Sequence, residues 1–230
     1  MDLQSGRKSK SFFFGLLRWR MLPAPGPGGW LVLGTLTLVA SVLFLTRIYP
    51  FLSPNRPLTG GALVIGGGAD DSALRAAATL LGNGTYEKLI VIGTPISKGQ
   101  VLLPYQSDAE LGVDRLQKLM DGGVPASPVR MENGKSDGCF ASAKATHDWM
   151  QAHGGIPSNI TVFCSPASSR RCRLAYSAVF GASVHIGMIA GAPIDYDPQR
   201  WWISSAGVRD VINQCIAYGY VRVGYGRPER

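Results

Sequence analysis

The sequence predicts an α/β protein, namely a three-layer, Rossmann-like domain with a mostly parallel sheet, preceded by one N-terminal transmembrane helix. From Gly61 onward, short apolar runs alternate with segments of helical periodicity. The runs are apolar almost without interruption, as in parallel strands whose two faces are both covered by helices. A charge-free apolar segment, Trp30 to Thr46, lies before this alternating region and follows a basic N-terminus.

The composition is that of a chain with a sizeable core, at 46% hydrophobic and 17% charged residues in 230. The formal net charge is +8, and residues 1–20 carry half of it. Because this basic segment stands directly before the apolar one, the charge indicates a membrane surface as its partner and not nucleic acid.

The apolar segment is long enough to be a membrane anchor. Its 17 residues form a helix of about 25 Å, slightly less than the roughly 30 Å of the hydrocarbon core. Arg47 can extend its charge to the interface, where residues 48–52 also fit. A buried core helix and a cleaved signal peptide are the alternatives. The long N-terminal region and the absence of a small-x-small cleavage site favour an uncleaved signal anchor.

The distribution of basic residues predicts the orientation. Five precede the apolar segment, whereas only Arg47 and Arg56 follow it closely, so we expect a cytoplasmic N-terminus and a C-terminal domain outside the cytoplasmic (inner) membrane, in the periplasm if the source is a Gram-negative bacterium. The predicted divisions are a basic segment over 1–29, the anchor over 30–52, a linker over 53–60, the α/β domain over 61–222 and a tail over 223–230.

Five strands and five helices are predicted in the α/β domain. The strands are 62–66, 88–93, 128–132, 160–164 and 183–189. The helices are 73–82, 108–120, 141–152, one that begins at Pro166, and 205–220, with Trp201 and Trp202 anchoring the last on the core. Ligands of such sheets bind beyond the carboxyl ends of the strands, so the loops after 66, 93, 132 and 164 are the candidate site.

The first two of these loops offer backbone and hydroxyl groups. Gly66, Gly67 and Gly68 expose amide donors and allow a ligand to approach closely, although a plain tight turn is the alternative. The spacing is not that of the dinucleotide fingerprint, so it gives little support to NAD. Thr94 follows the second strand.

The third and fourth loops carry the charged candidates. Glu132 at a strand end is a candidate acid, base or ligand anchor, or else an exposed turn residue, and Ser136 follows it. In the fourth, Ser165 and Pro166 form a helix start that is followed by three arginines. Cations are unfavourable at a helix N-terminus unless a negative group meets them, and Arg171 is the arginine expected to face a ligand. Arg170 and Arg173 are expected to face solvent.

The four cysteines, at 139, 164, 172 and 215, have no zinc-type or CxxC spacing, so no metal site is predicted. In the predicted oxidising compartment they are buried thiols or form one or two disulfides. All three complete pairings remain open.

Several segments resemble one bacterial envelope family, the YdcF-, SanA- and ElyC-like proteins (domain of unknown function 218), over residues 61–221. "ALVIGGG" with Arg75 is similar to the first strand and turn of that family, and "KLIVIGTP" to its second strand. "DAELGVDRLQKLMDGGVP" matches a helix with an early glutamate, here Glu110, and "RWWISSAGVRDVINQCIAYGY" resembles the final helix. The family motif Thr-Ser-x-x-His-Met-x-Arg-Ala corresponds to Cys164 through Cys172, with Arg171 kept and Ser168 in place of the histidine.

The resemblance implies an envelope-biogenesis factor that binds an anionic small molecule or envelope precursor. Arg171, Arg75 and the glycine-turn amides would hold the anion, and Glu132 or Glu110 would supply the acid or base. Because Ser168 replaces the family histidine, a non-catalytic ligand- or partner-binding member is an alternative. A nucleotide or S-adenosylmethionine binder is another, and no cofactor is assigned.

Overall fold

The computed structural model describes residues 27–96, 104–120, 124–132 and 137–224. The chain divides into two compact units, residues 1–42 and 43–230. Helix α1, Pro27–Leu52, begins in the first unit and ends in the second. Among the helices described, it is the one long and apolar enough to cross a membrane.

The side chains of the apolar part of α1 are exposed. The hydroxyl groups among them are hydrogen-bonded within the helix. The hydroxyls of Thr35, Thr37 and Ser41 each donate to the backbone carbonyl four residues earlier, at 2.8–2.9 Å. Such back-bonding is how polar side chains are tolerated in lipid-facing helices. The composition and the local hydrogen bonding of α1 therefore agree with the predicted transmembrane helix.

The α/β domain contains one five-stranded sheet. Its strands are β1 Ala62–Gly66, β2 Lys88–Gly93, β3 Ala126–Arg130, β4 Asn159–Cys164 and β5 His185–Ala190. All neighbouring strands are parallel, in the order β3-β2-β1-β4-β5. The predicted fold class is confirmed. The predicted third strand was placed two residues too late, because the pairing of β3 with β2 ends at Arg130.

The helices of the domain are α2 Asp71–Gly82, α3 Asp108–Leu119, α4 Gly138–Ala152, α5 Ser169–Phe180 and α6 Ser205–Gly224. The helix predicted from Pro166 starts as a 3-10 turn, Pro166–Ser168, and α5 begins one residue later. A second 3-10 turn, Pro198–Ile203, precedes α6.

Alternation along β1 distributes its side chains to two cores. Leu63 and Ile65 pack in one cluster with α2 and α3, while Ala62 and Val64 pack in the other with α4 and α5. Helices therefore cover both faces of the sheet, which explains why the strands are apolar throughout.

The strand order sets the position of the site. The chain passes outward from β1 to β2 and β3, then returns to the other side of β1 for β4 and β5. The two crossover directions separate between β1 and β4, so the carboxyl ends of these strands form a topological switch point.

The end of α1 is part of the second unit. Tyr49 and Leu52 are buried in a cluster with Trp201 and Val211 of the 3-10 turn and α6. The Trp201 indole N–H donates to the Leu45 carbonyl at 3.0 Å. Trp201 thus anchors the last helix as expected, whereas Trp202 is 37% exposed.

The segment predicted as a linker continues this attachment. The backbone N–H and carbonyl of Arg56 form an antiparallel bridge with Met188 of β5, at 2.8 and 2.9 Å.

A disulfide joins Cys139 in the first turn of α4 to Cys172 in α5, while Cys164 and Cys215 remain free. Of the one or two disulfides that the sequence allowed, the structure contains one, so none of the three complete pairings of the four cysteines is formed.

Candidate functional site

A cavity of about 920 Å³ lies at the carboxyl edge of the sheet, where β1 and β4 end. It is lined by the β1–α2 turn, the ends of β2 and β4, the starts of α3 and α4, α5, the segment after β5, and one face of α6. This is the position that the strand order predicts for a ligand site.

The glycines at the end of β1 and in the turn after it, Gly66 to Gly68, have two different roles, since one is needed for packing and two face open space. A Cβ atom on Gly67 would lie 2.0 Å from the Asp108 carbonyl oxygen, so Gly67 allows the start of α3 to approach the sheet. Gly93 is required for the same contact, with Ala109 N at 2.1 Å from its Cβ position. By contrast, a Cβ on Gly66 or Gly68 would meet nothing within 4 Å. These two glycines are the ones that leave space for a ligand.

The N-terminus of α2 already carries a negative group. The carboxylate of Asp70 accepts hydrogen bonds from the backbone N–H of Ala73, at 2.9 Å, and from the Ser72 hydroxyl. These bonds hold the pKa of Asp70 below its usual value. A free helix N-terminus attracts anions, but here the carboxylate occupies that place. A pyrophosphate on α2, as in dinucleotide-binding proteins, is therefore disfavoured.

Arg171 lines the cavity as predicted, and its charge is met by the chain itself. Its guanidinium forms an ion pair with Asp137, and the two side chains are only 15% and 10% exposed. Its Nε donates to Gln214 Oε1 at 3.1 Å. The negative group expected at this helix start is thus the carboxylate next to α4.

The other two arginines of that segment differ. The Arg170 guanidinium stacks on the Phe51 ring, 4.0 Å from its centroid, and Nε donates to the Phe51 carbonyl. Arg170 was expected to face solvent. It binds the end of α1, because the cluster around Trp201 places Phe51 beside α5. Arg173 is exposed, as expected.

A second arginine of the cavity, Arg115, was missed by the sequence analysis. It pairs with Asp71, and its guanidinium also donates to the Gly67 carbonyl at 3.4 Å. It lies seven residues after Asp108 and thus on the same face of α3. That spacing was the available signal.

Thr94 lines the cavity, as predicted, and it is coupled to a carboxylate that was not predicted. Its hydroxyl donates to Asp108 Oδ2 at 2.6 Å. Asp108 is the first residue of α3, and this bond holds it next to the carboxyl end of β2. A carboxylate held this way can accept further hydrogen bonds from a ligand or act as a base.

Helix α6 contributes a polar face that was also not predicted. Arg209, Asp210 and Asn213 line the cavity. The Tyr196 hydroxyl donates to Asp210 at 2.6 Å. Burial, followed by this bond, raises the pKa of Tyr196. Arg209 has no ion pair or hydrogen bond with any residue that the structure describes, which distinguishes it from Arg115 and Arg171.

Four predicted site residues lie outside the cavity lining. Arg75 is exposed on α2. The carboxylate of Glu110 accepts from the Gln106 N–H at 2.8 Å and so caps the start of α3. Glu132 is exposed beyond β3, an edge strand two positions from the switch point. Ser168 is buried, and its hydroxyl donates to the Ser165 carbonyl at 2.8 Å.

The remaining predicted residues are Ser165, which lines the cavity, and Ser136, which lies outside the described residues. The structure therefore brings together Gly66, Gly67, Gly68, Thr94, Ser165 and Arg171.

Among the described residues of the cavity lining, carboxylates are the groups suited to acid–base chemistry near neutral pH. The described lining contains Asp70, Asp108, Asp195 and Asp210 but no histidine. Burial raises the pKa of the Cys164 thiol and raises that of the Tyr176 phenol to about 12, so both stay protonated at neutral pH.

With aspartates and arginines interspersed, the lining suits a ligand that carries hydroxyl groups as well as an anion.

Comparison of the chain with protein-family models and with curated proteins finds no match.

Proposed function

We propose that this chain is a single-pass membrane protein whose α/β domain binds the polar headgroup of an anionic cell-envelope precursor. The anchor is α1. A cleaved signal peptide would not be part of the folded domain, yet Leu52 is 1% exposed and Trp201 is bonded to Leu45. Loss of the segment before residue 53 would uncover this cluster, so we assign α1 to the mature protein.

The domain is proposed to lie outside the cytoplasm, in the periplasm of a bacterium. The five basic residues of 1–20 favour retention of the N-terminus in the cytoplasm. The disulfide between Cys139 and Cys172 supports the same orientation, because such bonds persist in oxidising compartments.

The proposed class of ligand is supported mainly by the position of α6, which contacts both the cavity and the end of α1. One face lines the cavity through Arg209 and Asn213, and another packs on the end of α1 through Val211. The cavity therefore lies about one helix diameter, roughly 10 Å, from the end of the proposed anchor. A ligand whose apolar chain stays in the bilayer can reach this cavity with its headgroup.

The chemistry of the lining suits a phosphorylated, hydroxyl-rich headgroup. Arg209, whose charge is not paired among the described residues, can bind the anion, and the open space beside Gly66 and Gly68 leaves room for the rest of the headgroup. Asp108 and Asp195 offer acceptors for hydroxyl groups. The resemblance to the envelope family agrees with such a ligand.

The test is binding of undecaprenyl phosphate to the full chain in detergent, followed by native mass spectrometry. Arg209→Ala should weaken binding at least tenfold, since a hydrogen bond to a charged group contributes about 1.5–3 kcal/mol. Arg173→Ala is the matched control, because this exposed arginine lies outside the cavity lining. Equal binding by wild type and Arg209→Ala, or no binding at all, would reject the proposal.

The domain either acts on the bound headgroup or binds it without turnover, and binding without turnover is the second candidate. It is favoured by the place of Ser168, which lies outside the cavity lining. Its side chain is buried, and its hydroxyl donates to the Ser165 carbonyl. The measurement is release of inorganic phosphate, which reports hydrolysis of the bound phosphate ester. Turnover that is abolished by Asp108→Asn but retained in Asp197→Asn, at an exposed carboxylate outside the lining, would exclude this candidate.

A further inference from the structure

Helix α6 has an apolar face that the chain itself does not cover. Its residues follow one another at intervals of four, four, four and three and are between 37% and 77% exposed. We call them the apolar stripe: Val208, Ile212, Ile216, Tyr220 and Val223. At about 100° per residue, this spacing places all five on one side of the helix.

The opposite side of α6 is also occupied by apolar or small residues. Gly207, Val211 and Val221 are buried against the domain. A helix with apolar residues on two opposite sides normally buries both of those sides. The apolar stripe therefore lacks the environment that its composition requires.

The position of α6 identifies that environment. The turn before α6 is fixed to α1 by the hydrogen bond from Trp201 to the Leu45 carbonyl and by the contact of the Trp201 and Phe44 rings, 6.4 Å apart. Leu45 belongs to the uncharged apolar segment of α1. Because that segment, at about 25 Å, is slightly shorter than the hydrocarbon core, its last apolar residue, Leu45, lies at the edge of the core, and the turn that leads into α6 is held at the same level.

The charges and aromatic residues around the stripe are those of a membrane-surface helix. Arg209 and Arg222 are exposed and adjoin the first and last residues of the stripe, so they form cationic margins at its two ends along the helix. The single acidic residue of α6, Asp210, faces the cavity. Trp202 and Tyr220 are exposed amphipathic rings, which are enriched at membrane–water interfaces. Cationic margins of this kind favour anionic lipid headgroups.

We propose that α6 is a second membrane contact, lying on the bilayer surface with the apolar stripe inserted among the lipids. This inference rests on the proposed anchoring by α1. It adds that the domain is held against the membrane by its own surface, so the cavity-lining face of α6 stays at headgroup level.

The test is carbene labelling from within the bilayer. The full chain is reconstituted in vesicles of phosphatidylethanolamine and phosphatidylglycerol that contain a diazirine-bearing phospholipid, then irradiated and digested with trypsin. The sequence allows cleavage into peptides 21–47 from the anchor, 210–222 from the stripe and 76–88 from α2. We expect lipid adducts on 21–47 and 210–222 and none on 76–88, which is the internal control.

Variants sharpen the result. Ile212→Gln with Ile216→Gln should lower the adducts on 210–222 severalfold and leave 21–47 unchanged, whereas valine at both positions should retain them. Labelled 21–47 with unlabelled 210–222 would overturn the membrane contact of α6 and leave the anchor intact. If the protein were then a dimer in gel filtration, the apolar stripe would be assigned to the contact with a second copy of the chain. Absence of adducts from both peptides would reject the anchoring as well.

Discussion

Arg171 and Asp137 form an ion pair that joins α5 to the residue before α4, with 15% and 10% of their side chains exposed. The pair explains how three arginines can follow a helix start. One is neutralised by a carboxylate, one is packed on Phe51, and one is solvated. Because Arg171 lines the cavity, its pairing with Asp137 also sets the local charge that a ligand meets.

Removing the carboxylate of this pair should destabilise the domain. Asp137→Ala leaves the Arg171 charge largely buried without its counter-ion, and we expect a loss of roughly 2–4 kcal/mol in the free energy of unfolding. Denaturant titration of the full chain in detergent measures it. Asp195→Ala, at an exposed carboxylate, should change stability by no more than about 0.5 kcal/mol. A loss of similar size in both variants would contradict this role of the pair.

The disulfide should stabilise the domain through its loop. Its cysteines are 33 residues apart, so closing the loop stabilises the fold by roughly 3–4 kcal/mol in the chain-entropy model. Cys139→Ser with Cys172→Ser, or reduction with dithiothreitol, should therefore lower Tm. Reductant should have no effect on Tm in the double variant. Cys215→Ser, at a free thiol, is the control, and a reductant-insensitive wild type would refute the contribution.

Two neighbouring glycines, Gly67 and Gly68, should differ in how much stability is lost on substitution by alanine. Gly67→Ala would place a methyl group 2.0 Å from the Asp108 carbonyl oxygen and should cost about 3 kcal/mol or more, since backbone must move. Gly68→Ala meets open space and should be nearly neutral in stability. Thermal unfolding of both variants distinguishes the packing role from the cavity role. Equal Tm values would mean that α3 does not require Gly67.

Asp70 should make stability depend on pH in the acid range. The folded-state pKa is held low by the Ser72 hydroxyl and the Ala73 N–H, so this contribution is present above the unfolded-state pKa and is lost as pH falls through the folded one. Asp70→Ala should cost about 1 kcal/mol at pH 7, the usual value of an N-cap. The difference from wild type should shrink below about pH 4. Asp70→Asn keeps a capping oxygen and should retain most stability at pH 7, so an Asn variant as unstable as the Ala variant would contradict the cap.

The sequence predicted the elements because their signals are local. Buried strands show as short apolar runs, and α1 shows as an uncharged apolar segment. Thr94, Arg171 and the glycine turn were found because they follow strand ends directly. Carboxyl ends of parallel strands share one edge whatever the strand order, so these residues had to lie on the same side of the sheet.

The rest depended on which strands are neighbours and on how α6 packs. Glu132 follows a strand end as well, but β3 is the edge strand, so this glutamate lies away from the switch point. Arg115 and Arg209 reach the cavity only because α3 approaches the sheet over Gly67 and α6 packs on the end of α1. Strand order, helix docking and the pairing of Cys139 with Cys172 are long-range contacts. Local periodicity carries no information on which distant segments meet, so only the tertiary structure decided them.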